Sequence, residues 1–173
     1  MRADSLPILS LFCGAGGLDC GFRSEGFRVA LACDNFPAAI SSYNRNSKEK
    51  VGTVTDLAAT TADELISLMQ KSVPGQNPIG VIGGPPCQGF SVGNASADPN
   101  DPRNLLPFKY ASILAELNKV LPLRFFVFEN VLGLLNQRHS SRFKNILKRF
   151  ELAGFSVFQK TLDAYSFGVA QKR

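Results

Sequence analysis

The sequence predicts a doubly wound, mostly parallel α/β sheet. Two observations carry this. Short apolar runs of strand length alternate with segments of helical periodicity, and the residues of chemical interest fall just after those runs. Length agrees: 173 residues suffice for one domain with a real core and are too few for two of ordinary size.

The elements follow in order. Ile8 to Phe12 reads as a buried strand, and Leu18 to Glu25 as a helix stopped by Gly26. Val29 to Cys33 is a second strand leading into a helix over Ala38 to Tyr43. A short strand is expected around Val51 to Val54, a helix over Ala62 to Lys71, and a strand at Val81 and Ile82. Gln88 to Asn104, rich in Gly, Ser, Asn, Asp and Pro, reads as a long loop of the kind that serves as a functional lid. Leu105 to Leu121 reads as a helix, Arg124 to Glu129 as a strand, Ser140 to Ala153 as a helix, and Phe155 to Leu162 as a final strand. Ligands of such sheets bind beyond the carboxyl ends of the strands. Gly14, Asp34, Asp56, Cys87 and Glu129 all fall there.

Composition excludes several classes. Hydrophobic residues make up 45% and charged residues 19%, an ordinary globular balance, and no apolar run is long enough to span a bilayer. The N-terminus lacks a secretion signal, so a cytoplasmic, reducing setting with free thiols is expected. Cys13, Cys20 and Cys33 read as small buried hydrophobes. Four cysteines without paired ligand spacing and one distant histidine, His139, point to no metal site. Net charge is +5, with the excess late in the chain at Arg138, Arg142, Lys144, Lys148 and Arg149. That suits a polyanionic partner, and equally the wet face of a helix whose other face carries Phe143, Ile146, Leu147 and Phe150.

Two motifs carry chemistry. Phe12-Cys13-Gly14-Ala15-Gly16-Gly17-Leu18 is a glycine-rich strand-to-helix turn that lets backbone approach a ligand, and Asp34 follows where a carboxylate can grip ribose hydroxyls. A nucleoside cofactor is implied. Adjacent Gly16 and Gly17 break the G-x-G-x-x-G spacing of dinucleotide enzymes, which argues against a nicotinamide oxidoreductase. In Gly83-Gly84-Pro85-Pro86-Cys87-Gln88 a cysteine follows a short strand and two stiffening prolines, the presentation expected of a nucleophile.

Taken together, Phe12 to Leu18, Pro85-Pro86-Cys87-Gln88, Glu129-Asn130-Val131 and Gln171-Lys172-Arg173 resemble, in this order, the motifs of DNA cytosine-5 methyltransferases, from about Pro7 to the last residue. The resemblance implies the Rossmann-like S-adenosylmethionine-dependent methyltransferase fold over one partial catalytic domain. It also implies a bacterial cytoplasmic, nucleoid-associated enzyme of restriction-modification type. Phe12, Gly14, Ala15, Gly16, Gly17 and Leu18 would hold the methionine part and pack near the adenine, and Asp34 would take the ribose hydroxyls. Asp56 with Leu57 resembles the adenine-contacting pair, and Pro86 and Leu106 would line the remaining wall. Asp34 stands where the family often has Glu, and Asn35 where a bulky residue is common, so adenine stacking is expected to differ.

In the chemistry the resemblance implies, a Cys87 thiolate adds to carbon 6 of cytosine and Glu129 protonates ring nitrogen 3, in a semi-apolar setting after Phe125 to Phe128 that favours the protonated acid. Asn130 would orient the local backbone, and Arg173 would hydrogen-bond the cytosine carbonyl. The base must be flipped from duplex DNA. Gln88, Ser91 and Arg103 are the expected DNA contacts, with Gly89 and Gly93 as hinges of the covering loop and Asn94 and Ser96 also available.

Family members continue beyond this point with a further strand, a target-recognition region and a segment closing the cofactor pocket, so a second polypeptide or a C-terminal half is the expected partner beside double-stranded DNA. The rivals are a transfer RNA cytosine-5 methyltransferase, a non-catalytic subunit retaining the fold and, more distantly, the nicotinamide enzyme.

Overall fold

The computed structural model describes residues 6–86 and 101–171. Five parallel strands form one sheet: β1 (Leu6–Leu11), β2 (Phe27–Asp34), β3 (Gly52–Val54), β4 (Gly80–Gly83) and β5 (Phe125–Phe128), in the spatial order β3-β2-β1-β4-β5. Helices α1 (Gly17–Ser24), α2 (Pro37–Asn46), α3 (Ala62–Ser72), α4 (Leu106–Val120) and α5 (Ser140–Leu152) connect and cover it. The order turns back between β1 and β4, the switch point at which such sheets open a crevice.

Alternation along the strands builds two cores. Ile8, Val29, Ala32 and Ile82 pack under α1 and α2 with Ile40, Tyr43 and Phe22. Leu9, Leu11, Cys33 and Val81 pack on the opposite face with Leu65 and Met69 of α3, Leu114 of α4 and Phe150 of α5. A register shift between Ile8 and Leu9 pairs Leu9 with Leu31, so Ala30 and Leu31 join the same core instead of alternating. Tyr110 of α4, fully buried, ties the sheet to its cover by placing its hydroxyl within hydrogen-bond reach of the carbonyls of Val81 (3.2 Å) and Val127 (2.9 Å).

The helices end where local chemistry ends them. α1 stops before Gly26, whose φ of +89° no β-carbon tolerates well. α3 begins at Thr61, whose hydroxyl accepts from the Glu64 N–H while the Glu64 carboxylate accepts from the Thr61 N–H. The basic face of α5 is solvated and its Ile146 and Phe150 are buried, as its periodicity predicts.

Three expectations are corrected. The strand over Phe155 to Leu162 is absent. The segment has no ladder partner among the described residues, and Phe158 is 90% exposed; apolar alternation does not make a strand without a neighbour to pair with. The loop expected to run to Asn104 has ended by Pro102, where a 3₁₀ turn over Pro102–Leu105 begins, capped by the Asp101 carboxylate, which accepts from the Arg103 N–H at 2.9 Å. Cys20 is exposed, whereas Cys13 and Cys33 are buried thiols.

Candidate active site

The carboxyl ends of β1 to β4 converge on a cleft of about 460 Å³ lined by Phe12, Asp34, Asn35, Phe36, Thr55, Asp56, Leu57, Ala58, Pro86, Arg103 and Leu106. A parallel sheet brings these residues together although they span nearly a hundred positions, because its strands end on the same edge, where the 3₁₀ turn and the start of α4 add Arg103 and Leu106. Asp34 closes β2. Its carboxylate accepts from the backbone N–H of Gly14 (Oδ2, 2.9 Å) and of Phe36 (Oδ1, 2.9 Å), clamping the glycine turn to the start of α2. A carboxylate has about four acceptor sites, so two backbone donors leave capacity for ligand hydroxyls. Asp56 is fixed likewise, accepting from the Ala58 N–H at 3.0 Å. Phe36, 61% exposed, brings an aromatic ring one position after the small Asn35. Sequence reasoning passed it over, although an aromatic two residues after the carboxylate is the available signal.

A second pocket of about 340 Å³ adjoins the first and shares Phe12 with it. Phe12 has φ +56°, a left-handed conformation costly for a side-chain-bearing residue and typical of functional turns. The pocket is lined by Ser10, Phe12, Cys13, Gly14, Leu18, Asp19, Gly83, Gly84 and Glu129. Ala15, Gly16 and Gly17 form the turn between its lining residues. There Gly16, with φ +92°, packs so closely on Tyr43 that an added Cβ would lie 2.8 Å from the ring.

Glu129 follows β5 directly, and its N–H donates to the Gly83 carbonyl at 2.9 Å, carrying the β4–β5 pairing one residue further. An added Cβ on Gly84 would lie 2.9 Å from Glu129 Oε2. Glu129 is exposed, not enclosed in the semi-apolar setting expected from Phe125 to Phe128, because those rings turn to the two faces of the sheet while the carboxylate projects past its end. Asn130 donates through Nδ2 to the Pro85 carbonyl (3.2 Å) and accepts at Oδ1 from the Val131 N–H (2.9 Å), joining the end of β5 to the segment that follows β4.

Burial first, and then the charges of Asp19 and Asp34, push the Cys13 thiol well above its ordinary value, so it stays a neutral wall of the pocket. Arg103, half-exposed, lines the mouth of the larger cleft and is gripped by Asp101 through Nε (2.9 Å) and Nη2 (2.5 Å). Cys87, Gln88, Ser91 and Arg173 lie outside the described residues. No group of metal-ligating side chains occurs among the described residues, and no helix there is long and apolar enough to cross a membrane.

A doubly wound parallel sheet whose carboxyl edge carries carboxylates and apolar walls is a frame shared by nucleoside-binding α/β folds, and its likeness to solved structures places it in the methyltransferase class of them. A prophage-encoded E. coli protein described as a DNA modification methyltransferase superposes with a TM-score of 0.70 over 85% of this chain and 38% of its own, at 28% identity. Type II methyltransferase M.FnuDI of Fusobacterium nucleatum is 37% identical over 168 residues, which are 97% of this chain and 44% of that protein. Type II methyltransferase M.AquIA of Picosynechococcus is 31% identical over 177 residues, covering 96% of this chain and 68% of that protein. The family model for C-5 cytosine-specific DNA methylases matches residues 6–173. The chain therefore belongs to the C-5 cytosine-specific DNA methylases, and it spans less than half the length of M.FnuDI.

Proposed function

We propose that this chain carries the cofactor cleft and the reacting groups of an enzyme that methylates carbon 5 of a flipped-out cytosine in duplex DNA. The carrying observation is the meeting of two pockets at Phe12. One is nucleoside-sized, and the other is faced by Glu129 and bounded by Gly84, three residues before Cys87 in the sequence.

The residues present fit S-adenosylmethionine. The cleft falls within the roughly 300–1,000 Å³ of small-molecule sites, Asp34 and Asp56 offer acceptors to sugar and base, and Phe36, Leu57, Pro86 and Leu106 offer apolar walls. When bound, the cofactor supplies a methyl group activated by a sulfonium. The protein's own part is to make cytosine nucleophilic. The Cys87 thiolate adds to carbon 6, and Glu129 gives a proton to nitrogen 3, so the ring electrons collect at carbon 5. Once carbon 5 is methylated, its proton leaves to a base, the carbon–sulfur bond breaks to return the thiolate, and nitrogen 3 gives its proton back to Glu129. Asn130 holds the Pro85 carbonyl and would orient the backbone that leads toward Cys87. Arg173 would hold the cytosine carbonyl, and Gln88, Ser91 and Arg103 would contact DNA. DNA containing 5-fluorocytosine should trap a covalent adduct with the protein that Cys87→Ser abolishes. An adduct that survives this substitution would remove Cys87 from the mechanism.

The partner reading is a C-terminal part, on the same or a second polypeptide. The 44% coverage of M.FnuDI supports it, as does β5, which pairs on one side only among the described residues. Mixing this chain with a complementing C-terminal chain should restore methyl transfer to duplex DNA in preference to transfer RNA. Full, sequence-specific methylation by this chain alone would refute it.

A further inference from the structure

The smaller pocket contains a carboxylate that the chemistry above leaves unused. Asp19 sits in the first turn of α1 with no exposed surface. Ser10 Oγ donates to its Oδ1 at 2.6 Å and the Tyr43 hydroxyl to its Oδ2 at 2.7 Å. Arg23 Nη2 in turn donates to the Tyr43 hydroxyl at 2.5 Å, with its guanidinium 5.1 Å from the centre of that ring. Among the described residues no cation forms an ion pair with Asp19, so its compensation reaches it through a neutral phenol. A carboxylate bonded only to neutral hydroxyls keeps a strong field in low-dielectric surroundings.

The field has one opening. The pocket lining contains two carboxylates, Asp19 and Glu129, and no lysine, arginine or histidine. Glu129 is exposed and, in the reading above, enters the reaction protonated. Asp19 is then the single buried anion facing the pocket. On that same reading, which this inference rests on, the ligand group next to Phe12 and Gly14 is a sulfonium cation before the reaction and a neutral thioether after it. We infer that Asp19 is a specificity-determining residue, whose buried charge favours the cationic methyl donor over its demethylated product and so helps the spent cofactor leave. Arg23 opposes it through Tyr43 and sets how strong the preference is. Asp19 acts through space, as a positioning residue that need not touch the ligand.

A purely structural Asp19 would serve only its two hydroxyl donors, and asparagine, with one carbonyl oxygen and hydroxyl neighbours free to rotate, can keep that network. The discriminating readout is therefore the ratio of affinities for S-adenosylmethionine and S-adenosylhomocysteine, measured by calorimetry on the intact protein. Asp19→Asn should weaken the methyl donor by about tenfold, the size of a unit-charge interaction at intermediate dielectric, and weaken the product by less than about threefold. Arg23→Gln, at a side chain that is 25% exposed and able to change without opening the core, should move the ratio about twofold or more the other way. An unmoved ratio in Asp19→Asn overturns the inference. Should that variant not fold, an unmoved ratio in Arg23→Gln overturns it equally. Binding of neither ligand by the unmodified protein, with the complementing C-terminal part present, defeats the cofactor reading and this inference together, whereas tight binding of both with no change of ratio defeats only the role of Asp19.

Discussion

Gly84 has space for a hydrogen and little more on the side facing Glu129, since an added Cβ would lie 2.9 Å from Oε2. Its backbone is not in the left-handed region, so Gly84→Ala strains no dihedral and acts by displacing the carboxylate. On the proposed chemistry, where a misplacement of about 1 Å costs on the order of 10²-fold in rate, the variant joined by its complementing part should lose about that much methyl transfer while its thermal midpoint moves by only a few degrees. A rate within twofold of the parent would show that the exposed carboxylate yields to the methyl group without losing its place. At this scale the sequence was most legible at strand ends: Asp34 and Asp56, read there from the alternation alone, line one cleft with Phe12, Asn35, Leu57, Pro86 and Leu106, which the resemblance named, because parallel strands deliver their carboxyl ends to one edge. What escaped reading was side-chain company. Nothing in the order of residues says that Asp34 is shared by two backbone N–H groups, that Phe36 turns into the cleft, or that Asp19 is buried beneath the smaller pocket.

At the scale of elements, boundaries were legible where a residue enforces them, as Gly26 ends α1 and Thr61 with Glu64 starts α3, and illegible where pairing decides. Phe155 to Leu162 has the composition of a strand, but strand formation is settled by a neighbour, and none is present among the described residues. The packing of β5, α4 and α5 depends instead on aromatic rings. Phe150, 1% exposed, meets Phe126 with ring centres 4.5 Å apart, Phe128 at 5.3 Å and Tyr110 at 6.1 Å. Phe150→Ala removes the ring common to all three contacts and should cost about 3–5 kcal/mol, read as a fall in the urea midpoint with the slope unchanged. A loss below 1 kcal/mol would mean that α5 is held by something other than this cluster.

For the molecule as a whole, buried acids that stay neutral make stability depend on alkaline pH. Burial pushes the Cys33 thiol up to about 11, with a smaller push from Asp34 and an opposing hydrogen bond from Thr55. Burial likewise raises Cys13, Tyr43 and Tyr110. The unfolded thiol releases its proton first, so above its ordinary value the folded state binds more protons, and stability falls as pH rises. For Cys33 the contribution is intact below about pH 9 and lost by about pH 11, a change of about 2–3 kcal/mol. Denaturant midpoints between pH 8 and 11 should fall in that direction, and Cys33→Ala should flatten the slope even though it lowers stability at neutral pH. A midpoint that does not fall across this range would mean that the core thiols ionise without cost.

The same molecule leaves one side unfinished. Among the described residues β5 is an edge strand, and beyond α5 lie Phe158, Leu162, Tyr165, Phe167 and Val169, each at least half exposed. Exposed apolar side chains and an unpaired strand edge are each places where chains associate. On the partner reading, a complementing C-terminal part seats here, pairs with β5 and covers these side chains. Hydrogen exchange tests this at defined positions. In the 173-residue chain the amides of Phe125–Phe128 that do not face β4 should exchange rapidly. Adding the complementing chain should slow them by about 10²-fold or more, together with loss of hydrophobic-dye binding, because an amide that gains a ladder bond exchanges only when that region opens. If methyl transfer returns while those amides stay fast, the complementing part docks elsewhere, and the exposed edge of β5 has no role in assembly.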